Sequence, residues 1–274
     1  MSTSRSRREV LKQLGTAGAG VMLGGGIIRG QGRDIVVAGR PVAIAVSSLS
    51  PSTVRIRLLP IEAGRSTAVP MDGALAREGE GRVLAEERRP DSLQRVAAGD
   101  LLVRFTSSPP TIHVDTRAGE PVQRMTLDPR APGMSFLLSK GPLLGLGEGG
   151  PQFDRKGSTD RMRNGQGGYQ LRTHGGRVPI QWLVGTDGWA MFIHHPLGLF
   201  DFTGREGRFT PGISRKREGP PEPVDPLPLD VFIVAAREPA AIMAEYARIT
   251  GHAELPALWT LGYQQSHRTL AGPD

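Results

Sequence analysis

Between Val42 and Ala235 apolar residues recur at alternate positions in short runs, each bounded by Gly, Pro, Asp or Ser. "VAIAVSSL" (Val42 to Leu49), "TVRIRLLP" (Thr53 to Pro60), "LLVRFT" (Leu101 to Thr106), "TIHVDT" (Thr111 to Thr116) and "MSFLLS" (Met134 to Ser139) each fit a strand with one face buried. After a Gly-rich stretch come "VPIQWLVG" (Val178 to Gly185), "WAMFIHH" (Trp189 to His195), "LFDFTG" (Leu199 to Gly204) and "LDVFIVA" (Leu229 to Ala235). "TDG", Thr186 to Gly188, reads as a hairpin turn between two of these runs. Many short strands with short connections predict a sandwich of antiparallel sheets, so the fold class is mainly β. The period changes once. Glu238 to Gly251 places Ile242, Tyr246 and Ile249 on one face of a helix, with Pro239 in its first turn and Gly251 just past its last. Trp259, Leu261 and Tyr263 then resume strand spacing, the pattern of a chain leaving one domain and entering another.

The 274 residues suffice for a substantial core, and 37 glycines with 23 prolines agree with many turns. No cysteine is present, which excludes disulfides and thiolate metal sites. At the start, Arg7 and Arg8 precede an apolar, Gly/Ala-rich run from Leu14 to Ile28, the layout of a twin-arginine export signal over residues 1–30. That run has about 15 residues, short of the roughly 20 that a membrane-spanning helix needs. The expectation is export by the twin-arginine (Tat) translocase, giving a periplasmic or secreted protein. Arg5, Arg7, Arg8, Lys12 and Arg29 against Glu9 carry +4 of the formal +7, so +3 is spread over the body. A body so balanced excludes nucleic acid as a partner on charge grounds.

Three motifs hold candidate chemistry. "GLGEGG", Gly145 to Gly150, has the spacing of a dinucleotide-binding turn, yet Pro151 follows at once and no helix is available to face a pyrophosphate. His194 and His195 are neighbours in a strand, which sends them to opposite faces, one packed and one exposed, so they do not form a metal pair. Asp154 and Asp160 resemble an acid/base pair for glycoside hydrolysis, but Arg155 and Arg161 follow them and favour the ionised carboxylates, against a general acid. A salt-bridged loop is the expected arrangement. The loop itself, some twenty polar residues between two strand sets, is long for a compact domain, and such loops are often functional.

"VRIRLLP", "GLGE" with its polar loop, "PIQWLVGTDGWAMFIHHP" and "LDVFIVAAREPAAIMAEYARITGHAELPALWTLGYQQSHRTL" together resemble glycoside hydrolase family 31, the α-glucosidase and α-xylosidase family, over roughly residues 35 to 274. The resemblance implies a galactose-mutarotase-like antiparallel β-sandwich over residues 34–236 and a linker helix over 237–256. The start of a truncated catalytic (β/α)8 barrel, over 257–274, then has "WTLGYQQS" as its first strand. It implies a carbohydrate substrate with an α-glycosidic bond, no cofactor and no metal. The family's aspartate nucleophile and aspartate acid lie on later barrel strands, so no catalytic residue is assigned here, and the missing remainder of the barrel becomes a required partner. Substrate-binding residues carry over as Arg163 and Asn164, in the loop that reaches over the barrel mouth, and His267 and Arg268, at the end of the first barrel strand. The family's Arg-Asp pair in that loop is Arg163-Asn164 here, which removes a charge and leaves the substrate open.

A second class stays in play: a free-standing exported sugar-binding or mutarotase-like sandwich. It would need a histidine acid and a carboxylate base in one concave sheet, for which His113, His174 and Asp115 are the raw material.

Overall fold

The computed structural model describes residues 34–76, 81–162, 165–166, 176–195, 197–213 and 222–263. The strands, in chain order, are β1 (Ile35–Val37), β2 (Arg40–Ser50), β3 (Thr53–Glu62), β4 (Arg65–Ser66), β5 (Arg82–Glu87), β6 (Val96–Ala98), β7 (Leu101–Ser107), β8 (Pro110–Thr116), β9 (Pro121–Leu127) and β10 (Met134–Leu137). They continue with β11 (Leu143–Gly145), β12 (Thr159–Arg161), β13 (Gly165–Gln166), β14 (Gly176–Arg177), β15 (Trp182–Gly185), β16 (Trp189–Ile193), β17 (Gly198–Asp201), β18 (Glu206–Pro211) and β19 (Leu229–Ala235). Among the described residues one α-helix, α1 (Pro239–Thr250), follows.

Two antiparallel sheets carry the fold. The first runs β1-β2-β3-β19-β16-β15-β11, with β4 beside β3 and β5 beside β2; the second runs β12-β17-β18-β10-β9-β8-β7-β6. Alternation sorts each strand's side chains between faces. Val42, Ile44 and Val46 of β2, Val54, Ile56 and Leu58 of β3, and Leu229, Val231 and Ile233 of β19 enter one core with Val103, Ile112, Met125, Phe136, Phe200 and Phe209 of the second sheet. Each such side chain, taken fully out of water, contributes about 1.5–3 kcal/mol. β19 reads as an unbroken apolar run because both its faces are covered: Phe232 and Val234 point the other way, into a second cluster with Trp182, Phe192, Ile242 and Ile249.

α1 closes that outer face. Its start is set by Pro239, whose missing N–H is no loss in a first turn, and its end by Gly251, at φ +89°, whose N–H donates to Ala247 O at 2.7 Å. Tyr246 of α1 lies 5.0 Å, ring to ring, from Trp182, and the buried Glu245 accepts hydrogen bonds from Thr53 Oγ1 at 2.7 Å and Ser50 Oγ at 2.9 Å.

The terminal segment departs from its expected strand. Leu258–Leu261 forms a 3-10 turn, with Thr260 N donating to Ala257 O and Gly262 N to Trp259 O. Leu258, Trp259, Leu261 and Tyr263 are exposed by 84, 76, 69 and 91 %. Strand spacing alone does not make a strand: the backbone needs a neighbour to pair with, and none of the described strands pairs with this segment. The expected export segment, residues 1–30, lies outside the described residues, and among the described residues no helix is long and apolar enough to cross a membrane.

Candidate functional site

The connection between β11 and β15 holds the loop singled out in the sequence, and its base is firmly tied. β11 ends at Gly145, and the chain then runs through Leu146, Gly147, Gly149 and Gly150 with positive φ. A Cβ on Gly147 would stand 2.1 Å from Val178 O, so no side chain fits there. The amides of this turn are engaged by the returning chain: Leu146 N donates to Trp182 O at 2.8 Å and Glu148 N to Val178 O at 2.9 Å. Its carbonyls converge instead on Arg155. Nε donates to Gly145 O at 3.0 Å, and Nη2 to Gly149 O at 2.8 Å and Gly147 O at 3.4 Å. The "GLGEGG" turn is therefore a cradle for an internal cation, the electrostatic opposite of a pyrophosphate site.

The two loop carboxylates are structural. Asp160 is buried and stands 3.8 Å from Arg155 Nη1, so the ion pair expected in this loop forms between residues five apart. Asp154 turns to the backbone instead: its Oδ1 accepts from the amides of Leu143 at 2.9 Å and Lys156 at 3.1 Å. Lys156 Nζ donates to the carbonyls of Ser139, Lys140 and Gly141. Neither aspartate is placed to protonate a leaving group.

Beyond the cradle, β12 joins the second sheet beside β17, and Met162 N donates to Gly198 O at 2.9 Å. β13 and β14 then pair as a two-stranded ribbon. Arg163 and Asn164 fall between those two anchored points in the chain but are outside the described residues, as are His267, Arg268, Arg7, Arg8 and His174.

His113 and Asp115 both lie on β8, where Asp115 Oδ2 accepts from Arg104 Nη2 at 2.7 Å and His113 Nε2 lies 3.3 Å from Thr106 Oγ1. Burial, with help from Arg104, holds the His113 pKa below its ordinary value. With the carboxylate committed to an arginine, these two residues do not supply an acid with a ready base. Among the described residues no cluster of His, Asp and Glu could hold a metal ion.

Sequence reading missed one polar cluster altogether. On the outer face of the first sheet, Arg55 and Asp230, 1 % and 0 % exposed, form a two-bond pair, Nε to Oδ1 at 2.9 Å and Nη2 to Oδ2 at 2.8 Å. His194 extends it: Nδ1 lies 3.0 Å from Asp230 Oδ2 and Nε2 lies 3.0 Å from both carboxylate oxygens of Asp72. His195 turns away, its Nδ1 lying 2.7 Å from Leu197 O, so both histidines are engaged rather than one packed and one exposed. Only the adjacency of His194 to a strand end was visible in the chain; its partners lie 36 and 122 residues away.

No protein-family profile matches the chain, and no protein of curated function matches it in sequence. Solved structures do. A dextranase of glycoside hydrolase family 31 from Flavobacterium johnsoniae, solved with glucose, aligns with a TM-score of 0.60 at 14 % identity over 84 % of this chain and 30 % of its own. A xylosidase from Aspergillus niger aligns with a TM-score of 0.53 at 18 % identity, over 84 % of this chain and 34 % of its own. A Listeria monocytogenes protein solved with glucose aligns at 0.53 and 16 %, over 79 % and 20 %. The chain thus spans about a third or less of the length of these proteins. Two antiparallel sheets closed by one helix are the β-sandwich fold that this chain shares with part of the family 31 dextranase.

Proposed function

We propose that the chain is the N-terminal portion of an exported family 31 glycoside hydrolase acting on α-glycosidic bonds. The sandwich supports a (β/α)8 barrel that carries both catalytic carboxylates, and the loop containing Arg163 and Asn164 roofs a sugar subsite. The observation that carries this reading is the fold likeness to the dextranase and the xylosidase. The anchoring of the β11–β15 connection supports it, since a subsite loop needs a rigid base, and Arg155 with the Glu148–Val178 bridge supplies one. A retaining hydrolase needs two carboxyl groups about 5–5.5 Å apart, one of them protonated. Asp154 and Asp160 are committed to backbone amides and to Arg155, so the reaction is assigned to the barrel.

The test is to read the gene past codon 274 and express the longer product. It should hydrolyse aryl α-glucosides or α-xylosides with retention, while the 274-residue chain alone turns over neither. Asn164→Ala in the longer product should change the ratio of kcat/KM between the two substrates more than it changes the melting temperature. Hydrolysis by the purified 274-residue chain, abolished by Asp154→Asn or Asp160→Asn, would overturn the reading.

A further inference from the structure

Residues 67–76 cross the outer face of the first sheet as a strap with three ties. Thr67 N donates to Pro60 O at one end, Ala76 N to Ile249 O at the other, and Leu75 packs against the cluster beneath α1. The middle tie is polar: both oxygens of Asp72 face Nε2 of His194. The opposite ring nitrogen faces Asp230. A carboxylate only accepts hydrogen bonds, and a neutral imidazole has one N–H and one lone pair, so both contacts are made only by the doubly protonated ring.

We propose that His194 is a proton-operated latch: as imidazolium it ties Asp72, and with it the strap, to the sheet, and as neutral imidazole it releases the strap. The two carboxylates are unequal, which sets the direction of release. Asp230 is fully buried and also holds Arg55, whereas the Asp72 side chain is 46 % exposed. Loss of the proton at Nδ1 would leave a buried carboxylate facing a lone pair; loss at Nε2 frees Asp72 into water, where it is readily solvated. The other charged groups on the neighbouring elements have partners of their own. Arg57, two residues along β3, donates to Ser47; on α1, Glu245 accepts from Thr53 and Ser50 and stands 3.5 Å from Arg248; His195 bonds Leu197 O.

Burial opposes the charge on His194, but the bonds to Asp230 and Asp72 outweigh it and raise its pKa above 6.5. Burial likewise opposes ionisation of Asp72, and the Ala74 amide and His194 outweigh it, lowering that pKa below 3.8. A raised histidine stabilises below its unfolded pKa and loses that contribution as pH rises through the folded one; a lowered aspartate stabilises above 3.8 and loses it as pH falls. The strap is tied between those limits, and the tie is lost as pH rises to the upper one.

The experiment is amide hydrogen exchange of Thr67 and Ala76, the two amides that bond the ends of the strap to Pro60 O and Ile249 O, in the 274-residue chain from pH 5 to 9, each rate divided by its intrinsic value, alongside NMR titration of the His194 ring. Opening should increase about tenfold per pH unit as the pH climbs to the ring's midpoint and level off above it, so that the break in the exchange profile coincides with that midpoint. Asp72→Asn should flatten the response, because an amide can accept from Nε2–H or donate to bare Nε2. Exchange that stays level from pH 5 to 9 while His194 titrates, or a wild-type response retained in Asp72→Asn, would overturn the latch. Should that variant fail to fold, the coincidence or separation of the wild-type break and the ring's midpoint decides.

Discussion

A guanidinium enclosed by carbonyls, as Arg155 is, holds its loop in a way that no neutral residue can imitate. Removing it strands the carbonyls of Gly145, Gly147 and Gly149 and takes away the cation beside the buried Asp160. Arg155→Met should cost about 3–5 kcal/mol, the usual penalty for breaking a buried pair by deleting one partner. Lys156 also gathers three carbonyls but is only half-buried, so Lys156→Met should cost about 1 kcal/mol. Urea denaturation of both variants checks the contrast, and equal losses would mean that the cradle is not what anchors the loop. The presence of arginines beside the two aspartates was legible in the chain; which arginine meets which carboxylate was not, because the reversal of direction between Gly145 and Gly150 decides it.

At the scale of elements, α1 shows how much of a helix is decided by the surface it covers. Ile249 is fully buried in the cluster with Trp182, Phe192 and Phe232, whereas Met243 on the same helix is half exposed. Ile249→Ala should destabilise the chain by about 2–5 kcal/mol and Met243→Ala by under about 0.5 kcal/mol, as read from thermal or chemical unfolding. This helix and strands such as β2, β3 and β19 were legible because their apolar spacing matches their burial. β9 was not: its buried Gln123 takes an apolar position and serves the ladder itself, accepting from Leu137 N and donating to Leu137 O. β18 escaped for the opposite reason. Gly207 leaves room for the Phe136 ring, and a residue without a side chain gives the alternation nothing to show. The subsite residues Arg163, Asn164, His267 and Arg268 rest on resemblance alone, since they fall outside the described residues.

For the whole molecule, export is the property that the arginine pair at the start of the chain governs in this proposal. Arg7→Lys with Arg8→Lys should leave the protein in the cytoplasm while the parent reaches the periplasm, and equal recovery of both in periplasmic fractions would sink the assignment. The strand order carries a different consequence, one of time. β19 sits in the middle of the first sheet, between β3 and β16, yet among the described strands it is the last to be made. At a synthesis rate of about 5–20 residues per second, β3 waits roughly ten to thirty seconds for its partner. Throughout that wait β3 and, later, β16 offer bare edges to any passing strand. A ribosome that pauses before Leu229 prolongs the danger, and one that clears Ala235 ends it.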